Sequence, residues 1–210
     1  MNFSKTLLSR GVAALALGAL VAPLLGGCAG LVVGSAVVGG LVAADRRTSG
    51  AQLEDQAIEL KAVNRINATL GERGHVNVTS YNRQVLVTGE VPGDADRGAV
   101  EQIVGQIENV RSVVNELAVM APTSFGSRSN DTVLTSKVKA SLIDARDLHA
   151  NAFKVVTERG QVFLLGRVTE REANRATEIA RSIGGVQKVV RVFELISEAE
   201  LASGQPPKQQ

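Results

Sequence analysis

The chain has 210 residues, enough for one or two small domains. With no Trp and one Tyr, its core must be aliphatic, and the basic stripe with stacking aromatics that nucleic-acid binding uses is missing. The net charge of +2 is unevenly spread: residues 45–120 carry 8 basic and 11 acidic side chains, residues 121–210 carry 13 and 10, so only the second half favours an anionic partner.

The chain opens with a short basic stretch, "MNFSKTLLSR", then the uncharged "GVAALALGALVAPLL", then Leu25-Gly26-Gly27-Cys28. A basic start, an apolar middle and small residues before a cut make a secretory signal. Ending that pattern on a cysteine resembles the bacterial lipobox. Residues 1–27 are accordingly expected to be a cleaved signal peptide, and Cys28 the site of lipid attachment, diacylated on sulfur (palmitate class) and acylated on its new amino group. The rival reading is a transmembrane helix, since residues 11–44 contain no charge. Gly26, Gly27, Gly30, Gly34, Gly39 and Gly40 argue against a helix. Several acyl chains, at about 0.8 kcal/mol per buried CH₂, anchor firmly where one does not. Residue 29 is Ala rather than the Asp that marks inner-membrane retention. The expectation is therefore the periplasmic face of a Gram-negative outer membrane. Residues 28–50 read as an acylated, Gly/Ala/Val-rich tether, either flexible or lying on the bilayer.

The rest is one unit written twice. "DQAIELKAVNRINATL" (55–70) parallels "DTVLTSKVKASLIDAR" (131–146), and "HVNVTSYNRQVLVTGEV" (75–91) parallels "AFKVVTERGQVFLLGRV" (152–168). "RGAVEQIVGQIENVRSVVNEL" (97–117) parallels "NRATEIARSIGGVQKVVRVFE" (174–194). Each copy predicts helix, strand, strand, helix, strand. Leu134, Val138 and Leu142 mark the first helix of the second copy, with Asp131 expected to cap its start. "YNR" and "ERG" split two β-rich runs as hairpin turns. Ala176, Ile179, Ala180 and Ile183, or Ala99, Ile103 and Ile107, mark the second helix. A right-handed crossover makes the last strand parallel to its neighbour. Each unit is thus α+β, an αββαβ arrangement with a three-stranded mixed sheet and two helices on one face. The units span 51–120 and 131–197, joined by a linker at 121–130 and followed by a disordered tail at 198–210.

Two tandem units with a Gly-x-Val strand end and an "NV..VVN" or "GV..VV" run before the last strand resemble BON domains. With the lipobox in front, the chain is similar to dual-BON outer-membrane lipoproteins. "NDTVLTSKVKASL" and "VTERGQVFLLGRVTEREA" carry the likeness most closely. The resemblance implies the αββαβ fold, binding of anionic phospholipids through the second unit, and support of outer-membrane integrity. One departure stands out: where a member of that family has a Trp near the start of the second unit's first helix, this chain has Val133.

No catalytic constellation, cofactor motif or metal-ligand spacing is visible, so the chain reads as non-enzymatic, with no small-molecule substrate. His75 and His149 stand between elements of separate units, with no second ligand at metal spacing. "GERG" (71–74) follows a helix and lacks Lys-Ser/Thr, so it is a turn rather than a phosphate loop. On the second unit's first helix, Val133, Ala140 and Ile143 form an apolar stripe apart from the core stripe, flanked by Lys137 and Lys139. These five are the candidate phospholipid-binding residues, each basic residue contributing about 1 kcal/mol near an anionic surface. The same stripe read otherwise faces the first unit or is scattered surface. The first unit's helix places Glu54, Lys61 and Asn64 outward and is expected to lack such a stripe. Arg167, Arg171 and Arg175, among Glu170 and Glu172, read as a solvated mixed-charge face. The rival function is a protein-binding adaptor for an envelope assembly factor or a peptidoglycan-linked partner.

Overall fold

The structure is a computed structural model and describes residues 45–203. The signal segment, Cys28 and most of the tether lie outside the described residues.

Helix α1 (Ser49–Leu70) starts where the Thr48 side chain accepts from the Ala51 N–H, and it ends at Gly71, whose φ of 57° suits glycine. It buries Asp55, Ile58, Ala62, Ile66 and Leu70, one stripe at helical spacing. Strands β1 (His75–Tyr81) and β2 (Gln84–Val91) form an antiparallel hairpin. Helix α2 (Asp94–Gly105) crosses over to β3 (Ser112–Val119), which runs parallel to β2. The second unit repeats this: α3 (Phe125–Asp144), β4 (Phe153–Glu158), β5 (Gln161–Val168), α4 (Glu170–Ser182) and β6 (Lys188–Leu195). Its β4 pairs antiparallel and its β6 parallel with β5. Each sheet has its second strand in the middle. A short α5 (Glu198–Ser203) follows.

The aspartate in each first helix does not cap it. Asp131 lies inside α3, and its carboxylate accepts from the backbone N–H groups of Arg159 and Gly160 at 2.8 Å each. Asp55 does the same for Asn82 and Arg83, at 2.7 and 2.8 Å, and also accepts from the Ser80 hydroxyl at 2.6 Å. All four turn residues have positive φ, 50° and 65° in the first hairpin and 52° and 70° in the second, as a two-residue type I′ turn requires. A buried carboxylate thus collects the turn donors and ties each hairpin to its helix. True caps sit earlier, at Thr48 and Ser124, so both helices begin six residues ahead of the aspartate.

The linker expected at 121–130 is correspondingly short, since α3 takes residues 125–130. The tail expected to be disordered from 198 is helical as far as Ser203. The glycine of each Gly-x-Val strand end has a steric cause. A Cβ on Gly89 would sit 2.0 Å from the His75 carbonyl oxygen, and one on Gly166 2.4 Å from that of Ala152.

Strands β2 and β5 are buried along seven of their eight positions, on both faces. Val85, Val87 and Val91 pack beneath α1 and α2. Val162, Leu164 and Val168 pack beneath α3 and α4. The alternate positions meet each other instead: Tyr81 and Leu86 of the first unit join Phe163, Leu165 and Val192 of the second in a third cluster. The two sheets therefore lie face to face, with a helical layer outside each, four layers in all. Polar side chains rim this seam. Arg159 donates to the Gly89 carbonyl at 2.8 Å and pairs with Glu90 at 3.1 Å. Glu194 accepts from Asn82 and pairs with Arg111 and Arg167. Lys154 pairs with Glu59 at 2.9 Å.

Candidate functional site

Helix α3 carries the candidate site. Its buried stripe is Asp131, Leu134, Val138 and Leu142. Val133, Lys137, Lys139, Ala140 and Ile143 are all exposed, with Val133 at 50% and Ile143 at 69%. None faces the first unit, because the second sheet and then the first lie on the helix's opposite side. The early start adds a residue the sequence reading missed. Ser124 accepts from the Ser127 N–H and makes Phe125 the first helical residue, 84% exposed. At about 100° per residue, Phe125 falls at the same azimuth as Ile143, with Ser129, Val133, Ser136 and Ala140 up to about 80° to one side and Thr132, Lys139 and Arg128 up to about 60° to the other. One apolar strip thus runs the length of the helix, bearing an aromatic two turns before the position where Val133 stands in place of a Trp. Its hydroxyls are satisfied within the helix: Ser129 donates to the Phe125 carbonyl and Ser136 to that of Thr132, both at 3.0 Å. The signal for Phe125 in the sequence is Ser124, a cap residue before it.

The first unit's helix departs from expectation. Leu53, Leu60 and Val63 are exposed at 69%, 65% and 37%, so α1 also bears an outer apolar strip. The expectation failed because the core stripe begins at Asp55, which turns Leu53 and Leu60 away from the sheet. Glu54, placed outward in the sequence reading, is partly buried and accepts from Asn109 at 3.0 Å. The α1 strip has no aromatic. Because the two sheets pack face to face, it lies on the opposite side of the body from the α3 strip.

The residues just before α1 are bound rather than loose, which corrects the tether's expected end. Arg46 makes a two-pronged pair with Glu172 of α4, at 2.7 and 2.8 Å, and donates to the Arg167 carbonyl. Arg47 pairs with Asp45 and Asp55 and lies 4.3 Å from the centre of the Tyr81 ring. Burial pushes the Glu172 carboxyl up, but Arg46 and the Thr169 N–H outweigh it and hold it below its ordinary value of 4.5. Asp45 is likewise pushed up by burial, yet Arg47 brings it below 3.8. Burial, helped by the Asp45 charge, raises the Tyr81 phenol to about 12. The expected mixed-charge face holds for Arg171 and Arg175, which are exposed. It fails for Arg167 and Glu172, which are buried, Glu172 also closing a capping box with Thr169.

His149 lies in the segment between α3 and β4, and His75 opens β1. Among the described residues, no helix is long and apolar enough to cross a membrane.

The BON domain family matches residues 54–121 and 130–196, the two helix-led units just described. The outer membrane lipoprotein DolP of Haemophilus influenzae is 39% identical over 185 residues, covering 87% of this chain and 95% of its own length. The 21 kDa hemolysin of Actinobacillus pleuropneumoniae is 30% identical over 154 residues, covering 72% and 79%. Osmotically-inducible protein Y of Escherichia coli is 28% identical over 145 residues, covering 65% and 70%.

Proposed function

This chain belongs to the BON-domain family and is homologous along most of its length to an outer membrane lipoprotein; on that premise we propose that it is a non-enzymatic protein anchored through Cys28 on the periplasmic face of the outer membrane. Its second domain binds anionic phospholipid through α3 and so supports outer-membrane integrity. The observation that carries this reading is the exposed strip Phe125–Val133–Ala140–Ile143, flanked by Lys137 and Lys139. An apolar strip with basic edges lies in the plane of a membrane interface, apolar side down. The half that bears it also holds the positive charge.

Flotation of the acyl-free body, residues 45–210, with vesicles tests the reading. Vesicles rich in phosphatidylglycerol should carry it to the top of the gradient, and phosphatidylcholine vesicles should not. Equal recovery with both, or none with either, sinks the proposal. For the anchor, a Cys28→Ala chain should remain an unprocessed or mislocalised precursor, and mass spectrometry of the mature wild type should find lipid on Cys28.

The strip Leu53–Leu60–Val63 favours a second reading, a protein-binding adaptor. It points away from a bilayer that α3 touches, so it is free to receive an envelope protein. Loss of a partner on Leu60→Ser, with vesicle binding intact, would support that role alongside the first.

A further inference from the structure

His75 pairs in register with Glu90 across β1 and β2, so the two side chains stand together on the face that meets the second sheet. Glu158 ends β4 and reaches the same seam from the second domain. One donor atom from each of the three lies within 4.8 Å of the others. Glu90 is 0% exposed and Glu158 4%. The Nδ1 atom of His75 is buried with no hydrogen-bond partner, although Glu90 Oε2 stands 3.3 Å from it. Two carboxylates held together in a largely desolvated seam repel one another; among the described residues the cation paired with them is Arg159, 3.1 Å from Glu90 Oε1.

We propose that His75, Glu90 and Glu158 form a divalent-metal site of the zinc class that bridges the two domains. An imidazole nitrogen with two carboxylate oxygens is a donor set that zinc accepts, and waters complete the shell. Magnesium is disfavoured, because it prefers oxygen donors and sheds its waters reluctantly. Arg159 holds Glu90 Oε1; Oε2, on the histidine side, accepts only long bonds from the Thr123 N–H and hydroxyl, at 3.3 and 3.4 Å, and would ligate. Asn77 donates to Glu158 Oε2 at 3.0 Å and orients that carboxylate from outside the shell. Bonds of about 2.1 Å place ligand atoms about 3.4 Å apart in a tetrahedral shell, so side-chain rotation closes the cluster. A surface cleft lined by Arg128, Asp131, Thr132, Thr135 and Thr157 leads to His75 and Glu158 and gives an ion its way in. Because two ligands belong to the first domain and one to the second, the ion is a cross-link across the sheet seam. The three ligands lie in the sheet seam rather than on the strip Phe125–Val133–Ala140–Ile143, although Thr132 of the same helix lines the cleft, and zinc binding is tested without lipid, so the two readings stand or fall separately.

The test is titration of the untagged full chain in detergent micelles, stripped of metal with EDTA, followed by calorimetry and thermal unfolding. Zn²⁺ should bind at one ion per chain and raise the unfolding midpoint, since a ligand that binds only the folded state stabilises it. Mg²⁺ at the same concentration should do neither. His75→Ala and Glu158→Gln should each weaken Zn²⁺ binding at least about tenfold, while His149→Ala should leave it unchanged. Circular dichroism in EDTA checks that each variant folds, and Glu158→Gln decides alone if His75→Ala does not. Absence of Zn²⁺ binding overturns the proposal. So does binding that survives Glu158→Gln at wild-type affinity, or binding that is lost on His149→Ala.

Discussion

Asp55 and Asp131 show how a single carboxylate ties a turn to a helix. Each turn residue has positive φ, and in three of the four that residue is not glycine. Such backbone persists because its N–H groups find an ionised acceptor. Asp131→Ala would leave the N–H groups of Arg159 and Gly160 without that acceptor. At about 1.5–3 kcal/mol per hydrogen bond to a charged group, with partial rescue by water, the loss should be about 2–4 kcal/mol. Denaturant unfolding should show it, and Asp131→Asn should recover part. The glycines are as constrained by neighbours. Gly89 has φ 115° and would place a Cβ against the His75 carbonyl oxygen, so Gly89→Val combines backbone strain with overpacking. It should lower stability by about 3 kcal/mol or prevent folding of the first domain, whereas Gly98→Val, with open space around it, should cost about 1 kcal/mol or less.

Helix α3 is held by one stripe and offers another. Complete burial of an apolar side chain is worth about 1.5–3 kcal/mol, and a strip resting at an interface gains part of that per residue. Phe125→Ser should therefore weaken binding to anionic vesicles about tenfold, the equivalent of about 1.4 kcal/mol. Ile143→Glu should abolish it, because it sets a like charge against anionic lipid in the middle of the contact. Lys137→Glu should weaken it, and rising salt should weaken the wild type by screening the lysines. The same changes should leave the circular dichroism spectrum untouched, since all of these side chains are exposed. Lys61→Glu on α1 is the control and should do little. Helix α1 makes a sharper control than its sequence promised, because it too is apolar outside. Leu53→Ser with Leu60→Ser should leave vesicle recovery unchanged if facing direction, rather than exposed apolar area, decides.

The four-layer arrangement sets that facing direction. Helices on the far sides of two sheets packed face to face cannot both lie on one flat bilayer. The same packing gives each small domain a second apolar contact, which a unit of this size needs. The irregular segment before α1 adds a strap across both domains, Arg47 to the first and Arg46 to the second. Removing Arg46 strands a buried Glu172, so Arg46→Ala should cost about 1.5–3 kcal/mol and speed hydrogen exchange over residues 45–50. The pH dependence has a definite sign. Glu172 and Asp45 both titrate below their unfolded values of 4.5 and 3.8. Their contribution is present above those values and is lost as pH falls through the folded ones. Protection at the strap, taken relative to the intrinsic exchange rate at each pH, should therefore be high at neutral pH and at pH 5 and be lost as pH falls below 4.5 and 3.8 through the lowered values of Glu172 and Asp45. A strap that stays protected at pH 2 would show that these carboxylates do not hold it.

The repeat, the αββαβ order and the core stripes were legible because each follows from local periodicity. Leu134, Val138 and Leu142 mark one side of a helix whatever surrounds it, and the two copies confirm each other's strands. The exposed positions of Val133, Lys137, Ala140 and Ile143 followed from the same wheel. The first six residues of α1 and α3 were not legible: a polar, Gly- and Ser-containing stretch has no apolar period, and only the caps at Thr48 and Ser124 mark its start. Asp131 looked like a cap because its acceptor role involves a turn 28 residues away. Leu86, Phe163 and Leu165 lie on the face of each central strand turned away from its helices, a face for which the sequence reading named no cover. That the cover is the other domain depends on how two sheets meet, and no local pattern encodes it. The same holds for His75, Glu90 and Glu158. They come from three strands in two domains, at separations that no sequence motif uses, and only the packed seam brings their ligand atoms together.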